Sequence, residues 1–392
     1  MCAALRPPGR RFSLFLAGMA LKLAGFFHPA LAQDNDRAID FSVLNTMDIA
    51  ANVSGGVERD IVALYNLDIT AELDAAAAGI EGGTLFVYGL INNVRELAPL
   101  VGDLQVTSNI DNSEVIRLYE FWYQQEFGAG FSLRVGLYDL NSEFDAIDTA
   151  GLFLNSSHGI GPDFSQSGEN GPSIFPTTSL ALRLDYAASE TLTLRAAVLD
   201  AIPNDPDHPK SHKIALDEGA LLVGEADIRM FDGNWRLVAG GWHYTSRFDP
   251  IDERVTGRIG GNSGIYAFIE GQLADNLSGW VRGGLADQDI NQLGHYIGGG
   301  LVLTGPFHGR PEDQLGLAVA IAGNGSVYRD WVARDTGDTD HHEIAWELTY
   351  RAEVTDWLTL QPDIQYVQNP GTNPDLDDAL VIGIRLEIGG SF

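Results

Sequence analysis

Hydrophobic and polar residues alternate at period two over much of this chain. In the closing stretch Leu380, Ile382, Ile384, Leu386, Ile388, Gly390 and Phe392 fall on one face, and Val381, Gly383, Arg385, Glu387, Gly389 and Ser391 on the other. That is the pattern of a strand with one apolar and one polar face. It recurs upstream. Ile61, Ala63, Tyr65, Leu67, Ile69, Ala71 and Leu73 alternate with Asn66, Asp68, Thr70, Glu72 and Asp74. Phe131, Leu133, Val135 and Leu137 alternate with Ser132, Arg134 and Gly136; Leu180, Leu182, Leu184 and Tyr186 with Ala181, Arg183 and Asp185; Ile344, Trp346, Leu348 and Tyr350 with Glu343, Glu347, Thr349 and Arg351. Runs of this kind predict strands near 48–57, 62–75, 82–93, 114–127, 130–139, 178–188, 190–199, 219–231, 234–246, 262–274, 277–287, 293–304, 312–322, 341–354, 357–368 and 378–392. The stretch 33–54 reads as a polar, irregular lead-in, too short for a plug domain, and the first strand is the least regular.

The connections carry as much information as the strands. Gly128-Ala129-Gly130, Asp232-Gly233-Asn234, Ala274-Asp275-Asn276 and Thr355-Asp356 make tight turns, whereas 94–113, 140–177, 200–218, 247–261, 323–340 and 369–377 are long. Short and long connections alternate, so one rim has turns and the other loops. A soluble sandwich has no reason to sort its connections by end. An outer-membrane barrel does, with short periplasmic turns and long extracellular loops. The expected fold is therefore all-β: a transmembrane antiparallel β-barrel of about 16 strands, one domain over 33–392. Backbone donors and acceptors inside a bilayer all need partners, so such strands must close without an edge. Tyr186, Trp235, Trp346, Tyr350, Trp357 and Tyr366 near strand ends suit interfacial girdles, and simple packing accounts for each of them equally well.

Composition narrows the setting. Arg6, Arg10 and Arg11 precede an apolar run over 12–27, and Ala30-Leu31-Ala32 gives a small-x-small cleavage site, so residues 1–32 read as a secretory signal peptide. Lys22 splits the run, which argues against a membrane anchor. The one cysteine, Cys2, lies in that leader, leaving neither disulfides nor a thiol nucleophile beyond it. After residue 32 no apolar run reaches the roughly 20 residues a helical span needs. The formal charge is -30, and Lys210 and Lys213 are the only lysines after the leader. Nothing there would neutralise a phosphate backbone, so nucleic acid is not an expected partner.

Turning the apolar faces to lipid places the opposite faces in a lumen. They supply Arg134, Arg183, Arg195, Arg229, Arg282, Arg351 and Arg385, with Glu225, Glu270, Glu347 and Glu387. Arginine offers a planar fork of donors, and beside carboxylates it meets sugar hydroxyls as both donor and acceptor. The plainer account is that these pairs hold the inner wall together. Phe121-Trp122-Tyr123 puts a large aromatic on each face, and Glu120 and Gln124 share the face of Trp122. That grouping suits the apolar face of a pyranose, with structural packing of Trp122 as the alternative. The 140–177 connection carries Phe144, Phe153, Asn155, His158, Phe164 and Phe175. Its length argues for function and its aromatics against disorder, making it a candidate constriction loop folded into the pore. His341-His342 with Asp338 and Asp340 resemble a metal site on paper, but Gly and Thr neighbours in a rim loop read as solvated surface. No metal, cofactor or catalytic residue is assigned, since neither a G-x-S-x-G nor an H-E-x-x-H pattern is present.

Several segments resemble the carbohydrate-selective porins of the OprB type. They are Leu118-Tyr119-Glu120-Phe121-Trp122-Tyr123-Gln124, Leu133-Arg134-Val135-Gly136 leading to Glu143-Phe144, and Phe153-Leu154-Asn155-Ser156-Ser157-His158-Gly159. Gly309-Arg310-Pro311-Glu312-Asp313 follows, then Trp357-Leu358-Thr359-Leu360-Gln361-Pro362-Asp363-Ile364-Gln365-Tyr366 with Asn369-Pro370-Gly371 and Gly383-Ile384-Arg385. The resemblance runs from about residue 60 to the C-terminus, with an N-terminal part shorter than in relatives that have a helical lead-in. It implies a channel of about 16 strands in the bacterial outer membrane that passes sugars such as glucose by diffusion, with Arg and acidic residues at its constriction. Glu120, Trp122, Arg134, Arg183, Glu225, Glu270, Glu347, Arg385 and Glu387 are the candidate substrate-binding residues. Expected partners are sugars, outer-membrane lipid and lipopolysaccharide, and the barrel-assembly machinery, whose signal the terminal Phe392 resembles. Homo-oligomers stay open, and the acidic 200–207 rim loop reads as solvated or as a holder of divalent cations that bridge lipopolysaccharide. The competing functions are a general or other-solute porin, a structural or adhesive barrel and a barrel enzyme.

Overall fold

Sixteen strands follow one another along the chain: β1 (Ile39–Ser54), β2 (Ile61–Asp74), β3 (Gly83–Asn92), β4 (Val115–Phe127), β5 (Phe131–Tyr138), β6 (Ser179–Ala187), β7 (Leu192–Asp200), β8 (Ala220–Met230), β9 (Trp235–Phe248), β10 (Ile259–Ala274), β11 (Leu277–Ala286), β12 (Leu293–Thr304), β13 (Gln314–Asn324), β14 (His342–Thr355), β15 (Leu358–Gln368) and β16 (Ala379–Ser391). This computed structural model describes residues 38–92, 95–112, 114–203, 217–335 and 337–392. The leader assigned to 1–32 and the acidic loop from residue 204 onward lie outside the described residues. Each strand pairs antiparallel with its sequence neighbours, and β1 pairs with β16, so the sheet is a closed barrel. Closure leaves no unpaired edge to face lipid.

The period-two faces fall as the sequence predicts. Ile61, Val135, Leu182, Leu184, Ile265, Val281, Leu317, Trp346 and Ile382 point outward and are exposed, while Arg134, Arg183, Glu225, Glu347 and Arg385 point inward and are buried. An exposed apolar band of this extent is untenable in water and natural in a bilayer. The rims are sorted too. Connections 128–130, 188–191, 231–234, 275–276 and 356–357 are short and lie at one end, whereas 93–114, 139–178, 201–219 and 325–341 lie at the other. Two loop-rim connections, 55–60 and 287–292, are short, and 305–313 on the turn rim is longer. Tight turns take their residues from the left-handed region, as at Ala129 (φ 64°) and Gly130 (φ 80°).

The N-terminal reading needs correcting. Residues 39–54 of the expected irregular lead-in are strand: β1 begins at Ile39, well before the predicted 48–57, and 33–37 lie outside the described residues. Its alternation is blurred because Asn45 stands on the outward face and small Ala50 and Ala51 fall on either side. Pairing decides the outcome. β1 is bonded to β2 from Ile39 to Ala51 and to β16 from Ser42 to Ser54, and ladders on both sides override a weak local pattern.

Two long connections enter the barrel. In one, Leu97 and Val101 of 93–114 pack with Val62, Leu64, Val367 and Val381 of the wall. In the other, Phe144, Ile147 and Phe164 of 139–178 pack against Trp242, Tyr244, Tyr266, Phe268 and Trp280 of β9–β11. The Phe164 and Trp242 rings stack at 5.2 Å. The inner wall of β9–β11 therefore carries large apolar side chains for a loop core beside the charged Arg236, Glu270 and Arg282.

The seam ends at the chain terminus. Phe392 donates its N–H to the Phe41 carbonyl at 2.8 Å and its side chain is largely exposed at the turn rim, 6.4 Å from the Phe41 ring. Deleting Phe392 removes the last rung of the closing ladder. The deletion variant is expected to give less assembled barrel, read as heat-modifiable mobility on gels, with normal single-channel conductance in the molecules that assemble. Wild-type assembly yield would count against this role.

Candidate functional site

A loop inside a barrel must find acceptors for its backbone N–H groups, since few waters remain to serve them. Here inward-facing glutamates supply them. Asp145 donates its N–H to Glu225 at 2.9 Å. Asp148 and Thr149 donate to Glu270 at 3.2 and 2.8 Å, and Leu154 and Asn155 to Glu347 at 2.6 and 3.0 Å. The 93–114 loop uses the same device: Leu104 and Gln105 donate to Glu343 at 2.8 and 2.9 Å. Carboxylates accepting pairs of N–H groups make charge-assisted bonds, about twice as strong as neutral ones. Amides complete the set. Gln361 donates to the Leu152 carbonyl at 2.7 Å, Gln365 to the Thr107 carbonyl at 2.7 Å, and Asn155 to Gln365 at 3.1 Å. The two loops also bond to each other, Asn109 N–H to Leu154 carbonyl at 2.7 Å.

Arg282 is the deepest anchor. It is 1% exposed and its guanidinium forks onto Asp145 (2.6 and 3.1 Å) and Asp163, both loop residues. Space for this triad comes from glycine. A Cβ at Gly284 would lie 2.0 Å from the Asp163 carboxylate, and one at Gly161 would lie 2.1 Å from Arg282. His158, at 1% exposure, sits between the Phe153 and Trp280 rings. Burial pushes its pKa down to about 3, so it faces Glu347 at 3.6 Å as a neutral ring.

The anchors hold 139–178 against β8 and β10–β15, which leaves β2–β6 as the other side of the lumen. There Arg134 and Arg183, joined by Arg195 of β7, converge on Glu143. Arg183 meets its carboxylate at 2.7 and 2.8 Å, Arg134 at 3.5 Å, and Arg195 bonds its carbonyl at 2.9 Å. Burial favours the neutral acid, but the three guanidinium groups outweigh it and hold the Glu143 carboxyl below the usual range. Facing inward from β2–β4 are the half-buried Asp68, Glu72, Tyr88 and Gln124. Tyr88 donates to Asp68 at 2.6 Å, and Gln124 accepts from Arg134 at 2.9 Å and Arg183 at 2.9 Å.

The sequence-derived candidates separate into three groups. Glu120, Trp122, Arg134 and Arg183 come together on β4–β6. Trp122, however, is 5% exposed: Phe86 stacks on its ring at 4.9 Å and Arg134 lies 3.7 Å from its centroid. Its Nε1 donates to Glu120 at 3.1 Å. The ring is packed between flanking strands, so it offers a sugar no open platform. Glu225, Glu270 and Glu347 are spread around the wall as loop anchors. Arg385 and Glu387 are not paired with each other. Arg385 forks onto Asp48 of β1 at 2.7 and 2.8 Å and bonds Asn109 at 2.8 Å, while Glu387 lies 3.4 Å from Arg351. Sequence reasoning did not assign Asp48, Glu143, Asp145, Asp163, Arg236 or Glu343 to the site. Asp48 lies in the misread first strand, and the three loop acids have no periodicity to reveal them. Glu343 shares the inward parity of Glu347, which could have marked it.

A profile of the carbohydrate-selective porin, OprB family, matches residues 58–389. The chain belongs to the OprB family of carbohydrate-selective porins. It is 24% identical to Porin B of Pseudomonas aeruginosa, the match covering 90% of this chain and 87% of that protein. A shorter match, 30% identical over 21% of this chain and 23% of the relative, is to the putative porin QuiX of Acinetobacter baylyi. Among solved structures, the high-pH structure of Pseudomonas putida OprB superposes with a TM-score of 0.81 at 20% identity, covering 91% of this chain and 95% of that one. The outer membrane channel DcaP of Acinetobacter baumannii gives 0.55 at 8% identity, covering 90% and 97%. The fold is that of an outer-membrane porin, and the OprB-family barrel is placed in the bacterial outer membrane with its long loops outward.

Two predictions follow from the anchors. Arg282→Met leaves Asp145 and Asp163 buried without their cation, a loss of about 3–5 kcal/mol; the loop should release and single-channel conductance should rise, with the barrel still assembled. The Glu143 pKa is lowered on folding, so its stabilising contribution is complete above its unfolded value near 4.3 and is lost as pH falls through the lowered folded value. Conductance of the wild type should therefore hold through about pH 4 and change only on stronger acidification, when the folded-state carboxyl itself takes up a proton. Glu143→Gln should show the altered conductance already at pH 7, with a smaller acid step.

Proposed function

We propose that this porin carries neutral, hydroxyl-rich solutes, sugars such as glucose, by passive diffusion with no chemical step. Selection takes place between the Glu143–Arg134–Arg183 group and the Asp68, Glu72, Tyr88 and Gln124 wall. The observation that carries this reading is that the arginines there are already paired, Arg183 with Glu143 at 2.7 Å, while Asp68 accepts from the neutral Tyr88 and Asn66 along a half-buried passage. A sugar hydroxyl both donates and accepts, so it exchanges one hydrogen bond for another along such a wall. An ion gains less, because it must compete with a partner already in place and shed its own water. Family membership supports the substrate class, and Porin B and OprB as relatives support the same direction.

The test combines planar-bilayer recording with liposome swelling. Glucose should enter faster than a zwitterion of equal size and should block the ion current. Arg134→Met combined with Asp68→Asn should raise the glucose concentration for half-block about tenfold, the equivalent of one charge-assisted hydrogen bond. Equal entry of glucose and zwitterion would favour a general porin, and a barrel that conducts neither would favour a structural role.

A further inference from the structure

The outer face of the barrel carries a cluster of one arginine and three histidines at the loop rim that the channel does not use. His295 of β12, Gly323 of β13 and His342 of β14 lie opposite one another across three strands. Gly323 leaves the space that the His295 ring occupies: a Cβ there would meet its Nε2 at 2.0 Å. The two imidazoles stand edge to face at 5.3 Å, and His341 follows at 6.1 Å from His342. Arg329, on the Ser326–Asp335 helix of the 325–341 loop, reaches the His341 ring with Nη1 at 3.2 and 3.3 Å.

Three features of this cluster point to an anionic occupant. Among the described residues Arg329 has no carboxylate within ion-pair distance, unlike Arg95, Arg254, Arg258 and Arg334 but like Arg59 and Arg247 of the same rim. The Nε atom of Arg329 and the indole N–H of the adjacent Trp331 make no hydrogen bond. Asp330 and Asp335 occupy the exposed side of the helix, and Asp163, which acts on His295 through the wall, is buried in the lumen and committed to Arg282. Among the described residues no group of three His, Cys, Asp or Glu is arranged to hold a metal ion.

Position identifies the source of the anion. One outward rung below His295, Gly323 and His342, the next row is Ile297, Ile321 and Ile344, in register across the same strands. Ile297 is exposed, as is Trp346 one rung further down β14. The cluster thus tops the lipid-facing apolar band, at the level of outer-leaflet headgroups, with Tyr328 and Trp331 beside it (rings 5.8 Å apart) as interfacial aromatics. We propose that Arg329, His295, His341 and His342 form a binding site for the phosphate of an outer-leaflet glycolipid whose acyl chains lie along the Ile297–Ile321–Ile344 face. Arginine and imidazole donors match phosphate oxygens, and the neighbouring apolar strip favours an acylated source over free phosphate.

Native mass spectrometry of the whole purified barrel tests this with three probes: a bis-phosphorylated hexa-acyl glucosamine disaccharide, the same lipid without phosphates, and inorganic phosphate. The phosphorylated lipid should be retained, and removing its phosphates should weaken binding about tenfold. Arg329→Gln with His342→Gln should lose a similar factor while glucose block stays at the wild-type level. Equal retention of both lipids, tight binding of inorganic phosphate alone, or unchanged affinity in the double variant would each overturn the proposal. Should the double variant fail to assemble, Arg329→Gln alone, on a rim helix outside the sheet, carries the same expectation.

Discussion

A chain segment held inside a barrel needs an acceptor for every backbone N–H it turns away from water, and the interior of this porin is organised by that demand. The strand glutamates Glu225, Glu270, Glu343 and Glu347 each offer a carboxylate to one or more consecutive loop N–H groups. Each charge is thereby taken out of the passage and turned into a fixing point. The loop in turn donates its own acids, Glu143, Asp145 and Asp163, to wall arginines. Loop and wall exchange charges in both directions, so neither is electrostatically complete without the other.

This exchange explains the combination of a very acidic chain with a passage suited to neutral solutes. Charges are numerous in the lumen, but its arginines Arg134, Arg183, Arg195, Arg236, Arg282, Arg351 and Arg385 each have a carboxylate partner within 4 Å. Uncompensated charge is kept for the rims, where water and headgroups solvate it. A rigid, pre-paired surface also changes little when a solute arrives, so the solute need not be held tightly in order to be recognised.

Much of the fold was legible in the sequence because a barrel wall between lipid and lumen imposes period two on each strand and sorts connections by rim. Fifteen of the strands lie close to their expected positions; β1 is displaced because its pattern is weak and its stability comes from β2 and β16. The inward parity of Arg134, Glu225 and Glu347 was equally readable. Their tasks were not. Whether Glu347 meets a sugar or the N–H groups of Leu154 and Asn155 depends on where an irregular loop lies, and no periodicity encodes that. Trp122 shows the same limit from the other side: its face was readable, but the stacking of Phe86 and Arg134 on its ring comes from two neighbouring strands.

The loop anchors span great distances along the chain. Leu104 is bonded to Glu343 and Thr107 to Gln365, partners more than 230 residues away, and Asn155 reaches Gln365 as well. Without β14 and β15 the 93–114 loop would lose Glu343 and Gln365, and the 139–178 loop would be held on that wall by Glu225, Glu270 and Arg282 without Glu347, Gln361 and Gln365. Loop placement thus depends on contacts that are among the most distant in the chain, so the interior is fully fastened only in the complete barrel.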